Sequence, residues 1–147
     1  MMSKKPIGCP STYKSFSLAL QALTTLAVHA GTCSSSDLAA SLKADPTLLR
    51  RILKALSLEG MIESREGRDG GYRFVRSADH ITLAEVYSCL HIHRAVTDSM
   101  LDAAKEHCGG AALKAVFSEV LDEIEQSTLK VLSSYTVGDM VRKAETG

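Results

Sequence analysis

Two sets of side chains in this sequence have types and spacing that can do chemistry. Arg50, Arg51 and Lys54 place three cations close together, with Thr47 one turn before them and Arg65 and Arg68 a little further on. Guanidinium groups form forked hydrogen bonds with phosphate oxygens and with the edge of guanine, and an ammonium serves phosphate as a point charge. The second set is soft: thiols at Cys9, Cys33, Cys89 and Cys108, and imidazoles at His91, His93 and His107. Such groups ligate metals or undergo oxidation, provided the fold gathers or ionises them.

The elements that hold the cations are legible in order. "SFSLALQALTTLAVHA" from Ser15 carries Phe16, Leu20, Leu23 and Ala27 at helical spacing and stops at Gly31. A serine run before Asp37 offers an N-cap for a short helix with Leu38, Ala39 and Leu42 inward. After "KADP", Pro46 opens a third helix that runs to Gly60 as its C′ residue. At 100° per residue, Leu49, Ile52, Leu53 and Leu56 share one side of it, and Thr47, Arg50, Arg51 and Lys54 the other. No carboxylate neutralises that cationic side before Glu59.

"ESREGRDGGYRFV", Glu63 to Val75, then reads as a β-hairpin, with the glycine pair before Tyr72 supplying positive φ at its tip. A short helix, a tight turn and a helix with cations outward form a helix-turn-helix, whose second helix fits the major groove of DNA. A glycine-tipped hairpin directly behind it makes a winged helix, the wing bringing Arg65 or Arg68 to a phosphate or the minor groove. Arg73 and Arg76, further along the second strand, are open to a structural role or a backbone contact.

Composition agrees with a divided chain. The 147 residues, 45% hydrophobic, suffice for one ordinary domain or a small one with an oligomerisation element. The net charge of zero conceals 11 Lys and Arg against 7 Asp and Glu in residues 1–80, and 6 against 10 in residues 81–147. No apolar run approaches the roughly 20 residues of a membrane span, and "MMSKKPIGCPSTYK" lacks a signal peptide's apolar core, so a cytoplasmic location is expected. The expected organisation is an arm at 1–14, a winged helix-turn-helix at 15–80, and linking helices with a dimerisation region at 81–147. The fold class is mainly α with a small β-hairpin.

The segments "FSLALQALTTLA", "SSSDLAASLKADPTLLRRILKALSLEGMIESREGRDGGYRF" and "ITLAEVYSCL" together resemble the Rrf-two family of bacterial winged helix-turn-helix transcriptional regulators, over about residues 14–90. The resemblance implies a homodimeric DNA-binding repressor, and some members sense iron–sulfur status, nitric oxide, oxidants or cysteine supply. It places Thr47, Arg50 and Arg51 on the recognition helix and residues 65–71 in the wing. The family wing commonly reads Arg-Gly-x-x-Gly-Gly, whereas Glu66 precedes Gly67 here and the arginines flank that place. Cluster-binding members carry three closely spaced cysteines where this chain offers Cys89 and Cys108, so no iron–sulfur cluster of that kind, and no other cofactor, is expected.

In the second half, Thr82 with Glu85 three residues later forms a capping-box pattern opening a short helix. "TDSMLDAAKEHCGG" reads as another helix. "AALKAVFSEVLDEIEQSTLKVLSS" follows as a long amphipathic one, with Leu113, Val116, Phe117, Val120, Ile124, Thr128 and Val131 on a stripe and Glu119, Asp122, Glu123 and Glu125 toward water. A stripe of that length suits packing against a two-fold mate on a palindromic duplex. "TVGDMV" resembles the family's closing helix.

Of the soft set, Cys9 in the arm and Cys33 ahead of the second helix are candidate redox switches, the helix dipole being expected to lower the Cys33 pKa. Cys89, His91, His93 and Cys108 are candidate metal ligands only if the helices gather them; otherwise Cys89 is core. On a helix, His91 and His93 point about 200° apart. No phosphate loop, nucleophile elbow or zinc-protease motif is present, which argues against an enzyme. Two other readings stay open: a winged helix that binds protein, and a regulator gated by a metal or by an unidentified small molecule lodged between the winged helix and the long helix.

Overall fold

The computed structural model describes residues 11–29, 31–92, 94, 97, 98, 100, 101 and 110–146. Helix α1 spans Ser11–Val28, α2 Ser35–Leu42 and α3 Pro46–Leu58. A hairpin of β1 (Ile62–Arg65) and β2 (Gly71–Phe74) follows, then a 3-10 turn at Ala78–His80, α4 (Leu83–Cys89), α5 (Gly110–Ser133) and α6 (Val137–Thr146).

Local chemistry explains the boundaries. The Ser34 hydroxyl accepts from the Asp37 amide at 3.1 Å and caps α2, while Lys43 ends it in the left-handed region at φ 51°. Asp45 accepts from the Leu48 amide at 3.1 Å, and Pro46 occupies the first turn of α3, where its missing N–H costs nothing. Gly60, at φ +73°, closes the far end. Helix α1 starts four residues before the expected Ser15, because its first turn is polar and shows no apolar period.

One core joins these elements. Leu23 of α1, Leu38 of α2, Leu49, Leu53 and Leu56 of α3, and Met61 and Ile62 at the hairpin base are fully buried together. Ile81, Val86 and Val137 belong to the same cluster, so residues late in the chain complete the core that holds α3.

The hairpin pairs Ile62 with Phe74, Glu63 with Arg73, Ser64 with Tyr72 and Arg65 with Gly71. Positive φ falls at Gly67 (+108°) and Gly71 (+146°), so only one of the Gly70–Gly71 pair uses it. Gly70 is needed for space instead, since a Cβ there would strike the Arg65 carbonyl oxygen. Gly71 lies against the Cys33 backbone, and Tyr72 exchanges two hydrogen bonds with Cys33, at 3.0 and 2.7 Å. The wing is therefore pinned to the connection between α1 and α2.

Thr82 and Glu85 form the expected capping box at α4. Of the helix expected over 97–110, residues 97, 98, 100 and 101 are helical and 102–109 lie outside the described residues. Helix α5, about 36 Å long, packs on α4 through Leu121 and leaves Val116, Val120, Ile124 and Val131 about half exposed along one side. Glu125 does not face water as expected: its carboxylate accepts from the Tyr87 hydroxyl at 3.1 Å. Helix α6 returns to pack on α1 and the 3-10 turn. Thr136 and Asp139 cap each other's backbone, Thr136 bridges Thr82, and Arg142 donates to Asp79 and Asp139 at 2.7 Å each. Among the described residues, no helix is long and apolar enough to cross a membrane.

Candidate nucleic-acid interface

The four positions singled out on α3 share one exposed face, opposite the buried Leu49, Ile52, Leu53 and Leu56. Among the described residues, Arg50, Arg51 and Lys54 have no carboxylate within ion-pairing distance. Pro46 and the Asp45 cap fix where the helix begins and so the angle at which Thr47 and Arg50 stand. Three unneutralised cations on a rigid, convex element suit a polyanion.

The wing arginines divide into two kinds. Arg73 is ion-paired across the hairpin with Glu63, in the register that places them opposite. Arg76 donates to the His80 carbonyl at 2.9 Å and to both Glu85 carboxylate oxygens at 3.0 and 3.1 Å. Burial would raise the Glu85 pKa, but hydrogen bonds from the Thr82 backbone and from Arg76 outweigh it and hold the carboxyl below its usual range. Arg73 and Arg76 thus brace the hairpin. Arg65 lies 4.0 Å from Glu63, while Arg68, exposed in the loop, has no ion pair among the described residues. Glu63 was missed as a functional position, although an acidic residue opposite Arg73 is visible once the hairpin register is drawn.

A model of the Rrf2 family, described as "Iron-dependent Transcriptional regulator", matches residues 12–143. The chain belongs to the Rrf2 family. YffB of Lactococcus lactis is 27% identical over 78% of this chain and 74% of its own length. BadM of Rhodopseudomonas palustris is 30% identical over the same shares. Both carry names as HTH-type transcriptional regulators. Among solved structures, T. potens IscR superposes with a TM-score of 0.67 at 21% identity, covering 95% of this chain and 89% of that one. CymR, the global cysteine regulator of B. subtilis, gives 0.60 at 18% identity over 97% and 98%. These likenesses show the winged-helix fold. Rrf2 proteins are DNA-binding transcriptional regulators, typically dimeric, and not enzymes.

The Rrf2 description names iron, which makes the donor set worth testing. Among the described residues, no three His, Cys, Asp or Glu side chains stand close enough to hold a metal ion. Cys89 donates to the Val86 carbonyl at 3.2 Å, and burial, then the charge of Glu59, pushes its thiol up to about 11. A protonated, hydrogen-bonded thiol is a poor ligand. His91 is exposed, at φ 54° just past α4. These residues do not fit an iron centre. Cys9, His93, His107 and Cys108 lie outside the described residues.

Cys33 corrects an expectation. It sits two residues before α2, half-buried beside Tyr72, and burial, then the charge of Asp37, raises its thiol pKa instead of lowering it. Desolvation outweighs the dipole of an eight-residue helix. At pH 7 Cys33 therefore carries less thiolate than an unperturbed cysteine, and its alkylation by iodoacetamide, followed by peptide mass spectrometry, is expected to be slower than that of glutathione. Faster modification would restore the activated-thiol reading.

A cleft of about 460 Å3 lies between the end of α3, α4 and the C-terminal part of α5, bordered by Glu59, Met61, Arg76, Cys89, Leu129 and Ser133. It occupies the place expected for a small effector.

Proposed function

We propose that the chain is a cytoplasmic, homodimeric repressor that reads an approximately palindromic duplex. Residues 15–80 serve as the DNA-binding domain after an arm at 1–14, and residues 81–147 link it to its mate. Thr47, Arg50, Arg51 and Lys54 contact the major groove and its phosphates. Arg68 carries the wing contact with the backbone or minor groove, and Arg65, shared with Glu63, contributes less. The observation that carries this reading is the exposed cationic face of α3, unpaired while Arg73 and Arg76 are spent on internal ion pairs. The half-exposed apolar stripe of α5 supports dimerisation, which sets two half-sites about one helical turn, roughly 34 Å, apart.

The test is a fluorescence-anisotropy titration of the whole protein, at several salt concentrations and with and without reductant, against duplexes that include the region upstream of its own gene. The expected result is one preferred duplex, with the logarithm of the association constant falling by about 0.9 per neutralised phosphate for each unit of log salt. Retention of no duplex even at low salt would overturn the reading in favour of a protein-binding winged helix. A second reading, gating by a small molecule, is favoured by the cleft beside α4 and α5.

A further inference from the structure

We propose that Tyr87 and Glu125 are positioning residues for DNA recognition: their hydrogen bond fixes the direction of α5 against the head, and with it the separation of the two recognition helices in the dimer. This rests on the proposed reading of α5 as the dimerisation helix.

Helix α5 is tied to the head at two levels. Just past its C-terminal end, the Thr82–Thr136 bridge and the Arg142–Asp79 ion pair hold the chain. A rod anchored at one end still pivots. Above that anchor, Leu129 and Ser133 border the cleft of about 460 Å3, so this part of α5 is not close-packed on α4. The next directional contact is the Tyr87 hydroxyl on Glu125, 3.1 Å long, at a level about 12 Å above Ser133. Leu121 is buried one turn further on, but apolar contact has no preferred direction and a hydrogen bond does.

Tyr87 cannot swing to follow α5. Its residue is 4% exposed, and its ring meets Phe16 of α1 edge-on with centroids 5.5 Å apart. The hydroxyl is thus fixed on the head and the carboxylate on the rod, and two fixed points define a line. The leverage is large. A pivot of about 5° moves the far end of a helix about 36 Å long by about 3 Å, close to one base-pair step of about 3.4 Å. Two-fold symmetry applies the same error to both heads.

The experiment measures binding to a panel of palindromes whose half-sites are separated by spacers differing one base pair at a time, using the full chain, Tyr87→Phe and Glu125→Leu. The parent is expected to show one sharp optimum. In both variants, discrimination against spacers one base pair longer or shorter falls by roughly three- to ten-fold. Affinity for a single half-site and the dimer dissociation constant stay at parental values, which a merely destabilised head would not allow. If Tyr87→Phe loses half-site binding through misfolding, Glu125→Leu, altered on the helix surface, decides alone. An optimum as sharp as the parent's in a folded variant overturns the proposal. A parent indifferent to spacing overturns it too, while leaving the DNA-binding reading intact. A parent that binds no duplex removes that reading and this inference with it.

Discussion

Replacing Arg50 and Arg51 together by alanine is expected to lower affinity for the preferred duplex by roughly 100- to 10 000-fold, at about 1–3 kcal/mol per lost contact. Dimerisation and thermal unfolding should stay unchanged. Both side chains are exposed and neither has an ion pair among the described residues, so their removal leaves no buried charge behind. Alanine also suits the middle of a helix. The salt slope should fall by about 0.9 for each arginine that neutralises a phosphate, which separates phosphate contacts from base contacts without a structure of the complex. Should the double variant keep parental affinity and slope, the recognition face lies elsewhere.

The second large effect concerns association. Val120→Asp places a carboxylate in the middle of the exposed stripe of α5. In a two-fold interface the change occurs twice, and each lost apolar side chain is worth about 1.5–3 kcal/mol before the cost of desolvating the charge. The dimer is therefore expected to weaken by at least about 100-fold, and duplex affinity to fall to that of a single half-site. The folded protomer should be as stable as the parent, because Val120 is half exposed in the single chain. Sedimentation velocity across a concentration series checks this; an unchanged dimer would move the interface off α5.

How far the sequence could be read depended on the range of the interactions involved. The Ser34 and Asp45 caps, Pro46, Gly60 and the Thr82–Glu85 box act within one helical turn, so the layout that presents Arg50 and Arg51 was legible residue by residue. The 24-residue length of α5 and its apolar stripe followed from periodicity alone. What escaped depends on contacts distant along the chain. Gly71 against Cys33 removes the freedom on which an activated thiol was expected, and desolvation there reverses the sign of the pKa shift. Tyr87 and Glu125 are 38 positions apart, and no local pattern couples them. Arg73 and Arg76 looked as available as Arg65 and Arg68 until register and packing gave them Glu63 and Glu85 as partners.

The burial of Val137 in the same cluster as Leu23 and Leu53 has a consequence for how the protein is made. A ribosome delivers α1, α2, α3 and the wing first, yet their core stays open until α6 emerges. Between Arg68 and Met140 lie 72 steps of chain elongation, about 4 to 14 s at ordinary bacterial rates. During that interval a nascent chain already displays every proposed DNA-contacting side chain but lacks the closed core that would hold them rigid. Competence to occupy an operator therefore arrives with the closing helix, and unfinished chains make poor competitors for the site.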